Sequence, residues 1–304
     1  MKEEFARVPS NAVASQHPHA QSPDATVPAP APAYLDFQSE QLYCVQHGAA
    51  GGKGRACVLL LAPFATQRER GYSALVRWAR VLAGHGMDVV RFDPRGVGES
   101  TGDFERFTFA DWVEDARFMA AYCKDRFRDR PLVLGGVVFG ALLASRVFAG
   151  GQGDALLACS APEDGRAMLW DYLRRTLMAE MMANPHAPRT TREQIAAQIG
   201  AGERVNVDGY FWTKALWERA PGCAFAAPAL DDARPWRVID FRGMPATPIV
   251  GDGGAASRRE TTNAERFWES SPRLVPPNCE GFFEATARWM LDAASVRGTL
   301  REVR

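Results

Sequence analysis

The segment Gly136-Val137-Val138-Phe139-Gly140 has the spacing of a turn that carries a nucleophile from a strand into a helix. Such a turn holds a serine at its centre, flanked by glycines because strand and helix approach too closely for side chains. Here the glycines are present and the central residue is Val138. A valine has no ionisable or nucleophilic group, so acyl transfer through this position is chemically excluded. The backbone keeps a separate capacity. The N–H groups of Phe139 and of Phe64 or Ala65 are where such a turn and its neighbouring strand would present donors to a carbonyl or carboxylate oxygen, with Val138 as the floor.

A serine at this turn would also need a base. The five histidines are His17, His19, His47, His85 and His186. The loop before the last helix reads Pro276-Pro277-Asn278-Cys279-Glu280-Gly281-Phe282 and contains no imidazole. Glu280 lies near the position expected for the base, but a carboxylate cannot relay a proton between a serine and an aspartate. Asp240, after a late strand, fits either a triad acid or an ordinary loop carboxylate. Cys159 is the best-placed thiol, although its neighbours Leu156, Leu157 and Ala158 favour packing over reactivity. Ser100 closes the loop Phe92-Asp93-Pro94-Arg95-Gly96-Val97-Gly98-Glu99-Ser100, where arginine and aspartate tie the chain down and glycines supply positive φ. A phosphate-binding reading of these glycines lacks the G-x-G-x-x-G spacing and the Walker lysine.

The elements that position these residues alternate. Short strands are expected at Tyr34–Phe37 and Gln41–Gln46, forming a hairpin at a sheet edge. Cys57–Ala62 is a continuous apolar run, as in a strand covered on both faces. Leu75, Trp78, Ala79 and Leu82 have helical spacing, and Met87–Asp93 returns as a strand. Thr108 with Asp111 fits a capping box ahead of the apolar face Phe109, Trp112, Val113, Ala116, Met119, Ala120 and Cys123. Pro131–Gly135, Val138–Phe148 and Ala155–Ser160 read as strand, helix and strand. Pro131–Gly150 is about long enough to cross a membrane, but Gly135, Gly136, Gly140 and Arg146 make it a buried strand and helix instead.

The alternation stops between 161 and 232. There Met168, Leu169, Tyr172, Leu173, Leu177, Met178, Met181 and Met182 predict helices with broad apolar surface, the methionines lying over the turn or packing within the insertion. Trp236–Phe241 resumes the sheet, a Gly/Ala-rich loop covers Gly251–Ser257, and Arg273-Leu274-Val275 is a candidate last strand. A terminal helix with Phe282, Thr286, Trp289 and Met290 inward closes the chain. The pattern predicts an α/β-hydrolase fold: a mostly parallel central sheet in 34–160 and 233–304, a helical cap in 161–232, and a disordered Pro/Ala-rich leader in 1–33.

With 36 Lys+Arg against 36 Asp+Glu, the formal net charge of the 304-residue chain is zero, which argues against a nucleic-acid or anionic-membrane footprint. The 46% hydrophobic and 24% charged composition is that of a folded globular protein. Six cysteines without a C-x-x-C pair read as reduced thiols. The leader lacks the apolar block of a secretory signal, so a cytoplasmic location is expected. No metal or cofactor is implied.

Beyond the general hydrolase pattern, three stretches resemble the exosortase A system-associated hydrolase of the second type. They are Leu61-Ala62-Pro63-Phe64-Ala65, Gly202 through Tyr210, and Phe267-Trp268 with Leu274, Val275 and Glu284-Ala285-Thr286. The resemblance runs from roughly Tyr34 to Leu291. It implies a chemically undefined hydrolase role beside PEP-CTERM protein sorting or exopolysaccharide export in Gram-negative bacteria, and a bulky non-serine residue at the turn. The resulting expectation is a catalytically degenerate binding or accessory protein, with exosortase-system proteins as partners and an acyl or lipid-like small molecule as ligand. The alternative is a working ester or thioester hydrolase with a non-standard nucleophile.

Overall fold

The computed structural model of the chain describes residues 27–186, 190–229, 232–242, 258–269 and 278–302. The chain opens with the antiparallel hairpin β1 (Ala31–Phe37) and β2 (Glu40–His47), in which Tyr34 faces Tyr43. β1 begins inside the stretch assigned to the leader, because Ala31, Pro32 and Ala33 pair with Gln46, Val45 and Cys44. An edge position tolerates Pro32, since a proline there leaves no ladder donor missing toward a second neighbour.

β3 (Ala56–Leu61) is buried throughout, as its unbroken apolar run requires. It leads to α1 (Thr66–Gly84), which buries Leu75, Trp78, Ala79 and Leu82, and then to β4 (Met87–Phe92). α2 (Phe109–Arg126) starts at the expected capping box: the Thr108 backbone N–H donates to Asp111 Oδ2 at 2.8 Å. β5 (Leu132–Val137), α3 (Phe139–Ala149) and β6 (Ala155–Cys159) follow. Pro131–Gly150 is thus a strand and a helix, and no helix among the described residues is long and apolar enough to cross a membrane.

The insertion contains α4 (Gly165–Ala183), α5 (Arg192–Gly200), the two-stranded hairpin of β7 (Val205–Val207) and β8 (Tyr210–Trp212), and α6 (Lys214–Arg219). β9 (Trp236–Phe241) and β10 (Arg258–Thr262) add the last described strands of the sheet, and α7 (Glu280–Glu302) is the last described helix. The last described strand is therefore β10. Arg273–Val275, the Gly251–Ser257 loop and residues 1–26 of the leader lie outside the described residues.

Among the described residues the main sheet has eight strands in the order β1-β2-β4-β3-β5-β6-β9-β10. Pairing is parallel from β4 to β10, while β2 runs antiparallel to β4. α1 and α7 pack together, with Trp78 Nε1 donating to Thr286 Oγ1 at 3.0 Å. The order reverses around β3, β4 and β5. An open α/β sheet places its functional crevice beyond the carboxyl ends of strands at such a reversal.

Candidate functional site

At the carboxyl end of β5, Val138 has φ 51° and ψ −106°. This is a region that β-branched residues avoid, at a cost of roughly 1–3 kcal/mol. Its surroundings enforce the conformation. The Val138 N–H donates to the Cys159 carbonyl at 2.8 Å. A Cβ on Gly136 would overlap the Gly140 carbonyl, and one on Gly140 would overlap the Leu61 carbonyl. The two glycines are thus needed by the close passage of β5, α3 and β3, whatever side chain occupies the centre. The Val138 side chain is buried.

Facing the turn is the end of β3, where Ala65 has φ 48° and ψ −131° and caps α1. The N–H groups of Ala65 and Phe139 stand at the amino ends of α1 and α3, where helix dipoles favour negative charge. Among the described residues neither N–H meets a backbone acceptor.

The space before these donors is largely filled. The Phe64 ring lies 5.4 Å from Phe139, 5.8 Å from Trp112, 5.9 Å from Tyr172 and 6.3 Å from Trp212, each edge to face. The cavity that Phe64, Ala65 and Phe139 line has a volume of about 10 Å³. That is room for one water molecule at most. Tyr172 and Trp212 pack on Phe64 beside the turn; of the cap methionines, Met168 is buried, whereas Met178, Met181 and Met182 are exposed toward the end of α4.

Asp240 sits within β9 opposite Thr261, and its Oδ2 accepts from Arg259 Nε at 2.5 Å. Glu280 opens α7 and pairs with Arg77 of α1 at 3.2 Å. No described hydrogen bond or ion pair joins Asp240 or Glu280 to Val138 or to each other. Residues 263–279, which follow β10, contain no histidine.

Of the described histidines, His47 is buried in β2 and accepts from Arg91 Nε at 3.2 Å. Burial, with Arg91 and Arg80 nearby, pushes its pKa down to about 4. His85 pairs with Glu284 at 2.7 Å, and His186 is exposed in the cap. All six cysteines are free and buried. Burial raises the Cys159 thiol far above its ordinary pKa, leaving no thiolate.

The loop after β4 is structural, as its sequence suggests. Arg95 donates through its backbone N–H and Nε to the two oxygens of buried Asp115, at 2.9 and 2.5 Å. Arg68 Nε holds Asp93 at 2.9 Å, and Ser100 Oγ accepts the Tyr43 N–H at 2.8 Å while donating to the Asp93 carbonyl.

One cluster was missed from sequence. Thr66 Oγ1, at the start of α1, donates to Asp208 Oδ2 at 2.6 Å, and Tyr172 Oη on α4 donates to the same oxygen at 3.2 Å. Tyr172 Oη also accepts the Thr66 N–H at 3.4 Å. Burial lifts the tyrosine pKa to about 12, so it remains a neutral donor. The available signal was Asp208-Gly209 between alternating apolar residues, a two-residue hairpin turn with φ 53° and 91°. Beyond this cluster, Gln67, Arg70, Tyr172, Arg175, Asp208 and Trp268 contribute to an outer cleft of about 250 Å³.

Residues 68–196 match the family model for serine aminopeptidase, S33. A search of curated protein sequences found no match. Among solved structures, the chain is similar to Est1E from Butyrivibrio proteoclasticus with ferulic acid bound, at 16% identity and a TM-score of 0.57, covering 86% of this chain and 99% of that one. It is also similar to a soluble variant of monoglyceride lipase from Saccharomyces cerevisiae in complex with a substrate analogue. There the identity is 13% and the TM-score 0.56, covering 91% of this chain and 99% of that one. Strand order and these likenesses agree: the chain has the α/β-hydrolase fold.

Proposed function

We propose that this protein is a catalytically degenerate member of the α/β-hydrolase superfamily that binds a small acyl or lipid-like molecule and serves as an accessory component of an exosortase and exopolysaccharide system. The observation that carries the degenerate reading is Val138 in the strained turn conformation with its flanking glycines intact. The backbone geometry of a nucleophile turn persists while the chemistry it serves has no nucleophile and no imidazole in residues 263–279. The ligand reading draws support from the Ala65 and Phe139 N–H groups, which suit a carbonyl oxygen. The exosortase setting rests on the sequence resemblance alone.

Fluorophosphonate labelling of the purified protein tests the catalytic part. No labelled serine is expected; a label mapping to one specific serine would replace this reading with that of a working ester or thioester hydrolase. Native mass spectrometry of protein purified from its source tests the ligand part, with an adduct of acyl-chain mass expected.

A further inference from the structure

β1 is an edge of the main sheet, and among the described residues no strand lies on its outer side. Which of its peptide groups face outward follows from β2. Tyr43 turns its N–H to Ser100 Oγ at 2.8 Å and its carbonyl to the Asp93 N–H at 2.9 Å, and Gln41 turns the same two groups to Thr101. The odd-numbered residues of β2 thus bond away from β1. Glu40, Leu42, Cys44 and Gln46 bond toward it, to their partners Phe37, Leu35, Ala33 and Ala31. That leaves Pro32, Tyr34 and Asp36 with backbone groups aimed outward. The N–H groups of Tyr34 and Asp36 have no acceptor among the described residues, and Pro32 has no N–H to offer.

The side chains along this edge differ in charge from one end to the other. Pro32, Val45 and Arg91 form one row across β1, β2 and β4. The Arg91 guanidinium lies 5.2 Å from the Tyr72 ring of α1 and makes no ion pair among the described residues. Tyr34, 53% exposed, stands on the same face with its ring 5.3 Å from Tyr43. At the other end Asp36 accepts from Gln41 Nε2 at 2.8 Å and likewise meets no cation among the described residues.

We propose that β1 pairs antiparallel with β1 of a second copy of this chain, Tyr34 opposite Tyr34 on the two-fold axis, so that the two sheets become one. In that register each Tyr34 N–H donates to the Tyr34 carbonyl of the other copy, and each Asp36 N–H to the other Pro32 carbonyl. Every outward donor is met, and the N–H that Pro32 lacks leaves only the Asp36 carbonyl to water. The axis also carries Asp36 of each copy into the row of Pro32, Val45 and Arg91 in the other, on the same face. At a strand spacing of about 4.8 Å the carboxylate and guanidinium are too far apart for a direct ion pair, yet close enough for an attraction that salt screens. Moving the register by two residues, to set Asp36 opposite Tyr34, would meet the donors equally but carry the carboxylate away from Arg91 and toward Asp93. A proline and a charge on an edge reject most foreign strands; a copy in this register is accepted because its Pro32 and Asp36 fall opposite each other.

Sedimentation velocity of the full chain across micromolar concentrations tests the pairing, with circular dichroism checking that each variant is folded. Wild type is expected to dimerise. Tyr34→Pro removes one outward N–H and leaves the ladder to β2 untouched, so the dimer dissociation constant should rise by about tenfold or more. Asp36→Lys should raise it at low salt, and the weakening of the wild-type dimer by added salt should be absent from this variant. A cysteine on the axis reads the register and does not depend on how Tyr34→Pro folds. Opposed Cα atoms at a hydrogen-bonded pair lie about 5.5 Å apart, within the span of a disulfide. Tyr34→Cys should therefore give a disulfide-linked dimer with copper phenanthroline by about tenfold or more faster than Lys53→Cys, on the exposed turn after β2. Wild type that sediments as a monomer throughout, a dimer indifferent to both Tyr34→Pro and Asp36→Lys, or cross-linking no faster at position 34 than at 53 would overturn the proposal.

Discussion

The backbone N–H of Val138 donates to the carbonyl of Cys159 at 2.8 Å, so the turn after β5 is pinned to β6 through main-chain atoms alone. The side chain at the centre of the turn is thereby uncoupled from its geometry. A turn held this way keeps its strained conformation whatever side chain stands at its centre, because the strain is held by β3, β6 and α3.

That reasoning makes the glycines more demanding than the central residue. A methyl group at Gly136 or Gly140 meets backbone carbonyls, which cannot move aside as a flexible side chain can. Gly136→Ala and Gly140→Ala are each expected to cost on the order of 3–5 kcal/mol in urea unfolding. Gly84→Ala, at a position with nothing within 4 Å, should stay within about 1 kcal/mol of wild type. Similar small losses at all three sites would show that β5 and α3 can separate freely.

His47 predicts an acid sensitivity with a definite sign. In the folded protein it stays neutral down to about pH 4, because it is buried and accepts from Arg91 with Arg80 also near. In the unfolded chain it titrates near pH 6.5. The unfolded state therefore binds the proton first, and the stability tied to neutral His47 is complete above about pH 6.5 and lost as the pH falls toward 4. His47→Gln, whose amide oxygen can still accept from Arg91, should lose less stability than wild type between pH 7 and pH 4. An imidazole resonance of His47 titrating near 6.5 in the folded protein would refute the assignment.

Much of the fold was legible because local pattern and tertiary role agree. The apolar run of β3, the Thr108–Asp111 box and the inward face of α7 each have one plausible partner surface. The turn at Val138 was readable for the same reason, since two glycines at that spacing answer a steric demand. β10 was not readable: Arg258-Arg259-Glu260-Thr261-Thr262 carries no apolar alternation, and it joins the sheet as an edge strand beside β9. The filled pocket was also hidden. Phe64, Tyr172 and Trp212 come from three separate elements, and only the folded chain shows that their rings occupy the same space. Of the methionines expected to carry apolar contact, Met168 does so, whereas Met178, Met181 and Met182 are exposed, because beyond Leu173 α4 keeps only Leu177 packed against the core.

The six thiols should be inert in the native state. All are buried, and chiefly through that burial Cys44 and Cys279 are lifted to about 11 and Cys223 to about 12. Since the thiolate is the reactive species, iodoacetamide at neutral pH is expected to modify none of them until urea is added, after which all six react. Rapid native labelling at Cys159 would restore it as a candidate nucleophile.

Restoring a serine should not restore catalysis. Val138→Ser supplies a hydroxyl on a turn already held in the right conformation, yet a serine with no base to take its proton is a weak nucleophile at neutral pH. Residues 263–279 offer no imidazole. Adding Glu280→His does not mend this, because Glu280 opens α7 paired with Arg77 of α1, and its side chain is 53% exposed. Asp240, which would have to orient the new ring, gives Oδ2 to Arg259 at 2.5 Å, and although its Oδ1 has no partner among the described residues, no described contact joins it to Glu280 or Val138. Triad members act as a unit, so a turn with one member and two N–H donors retains only the small rate that binding and the donors supply. Hydrolysis of p-nitrophenyl acetate by wild type, Val138→Ser and the double variant is therefore expected to match the buffer rate within about tenfold. A rate well beyond the roughly 10⁴-fold over water that donors and binding supply on their own in Val138→Ser would mean that a base outside residues 263–279 reaches the turn, and the degenerate reading would then concern the nucleophile alone.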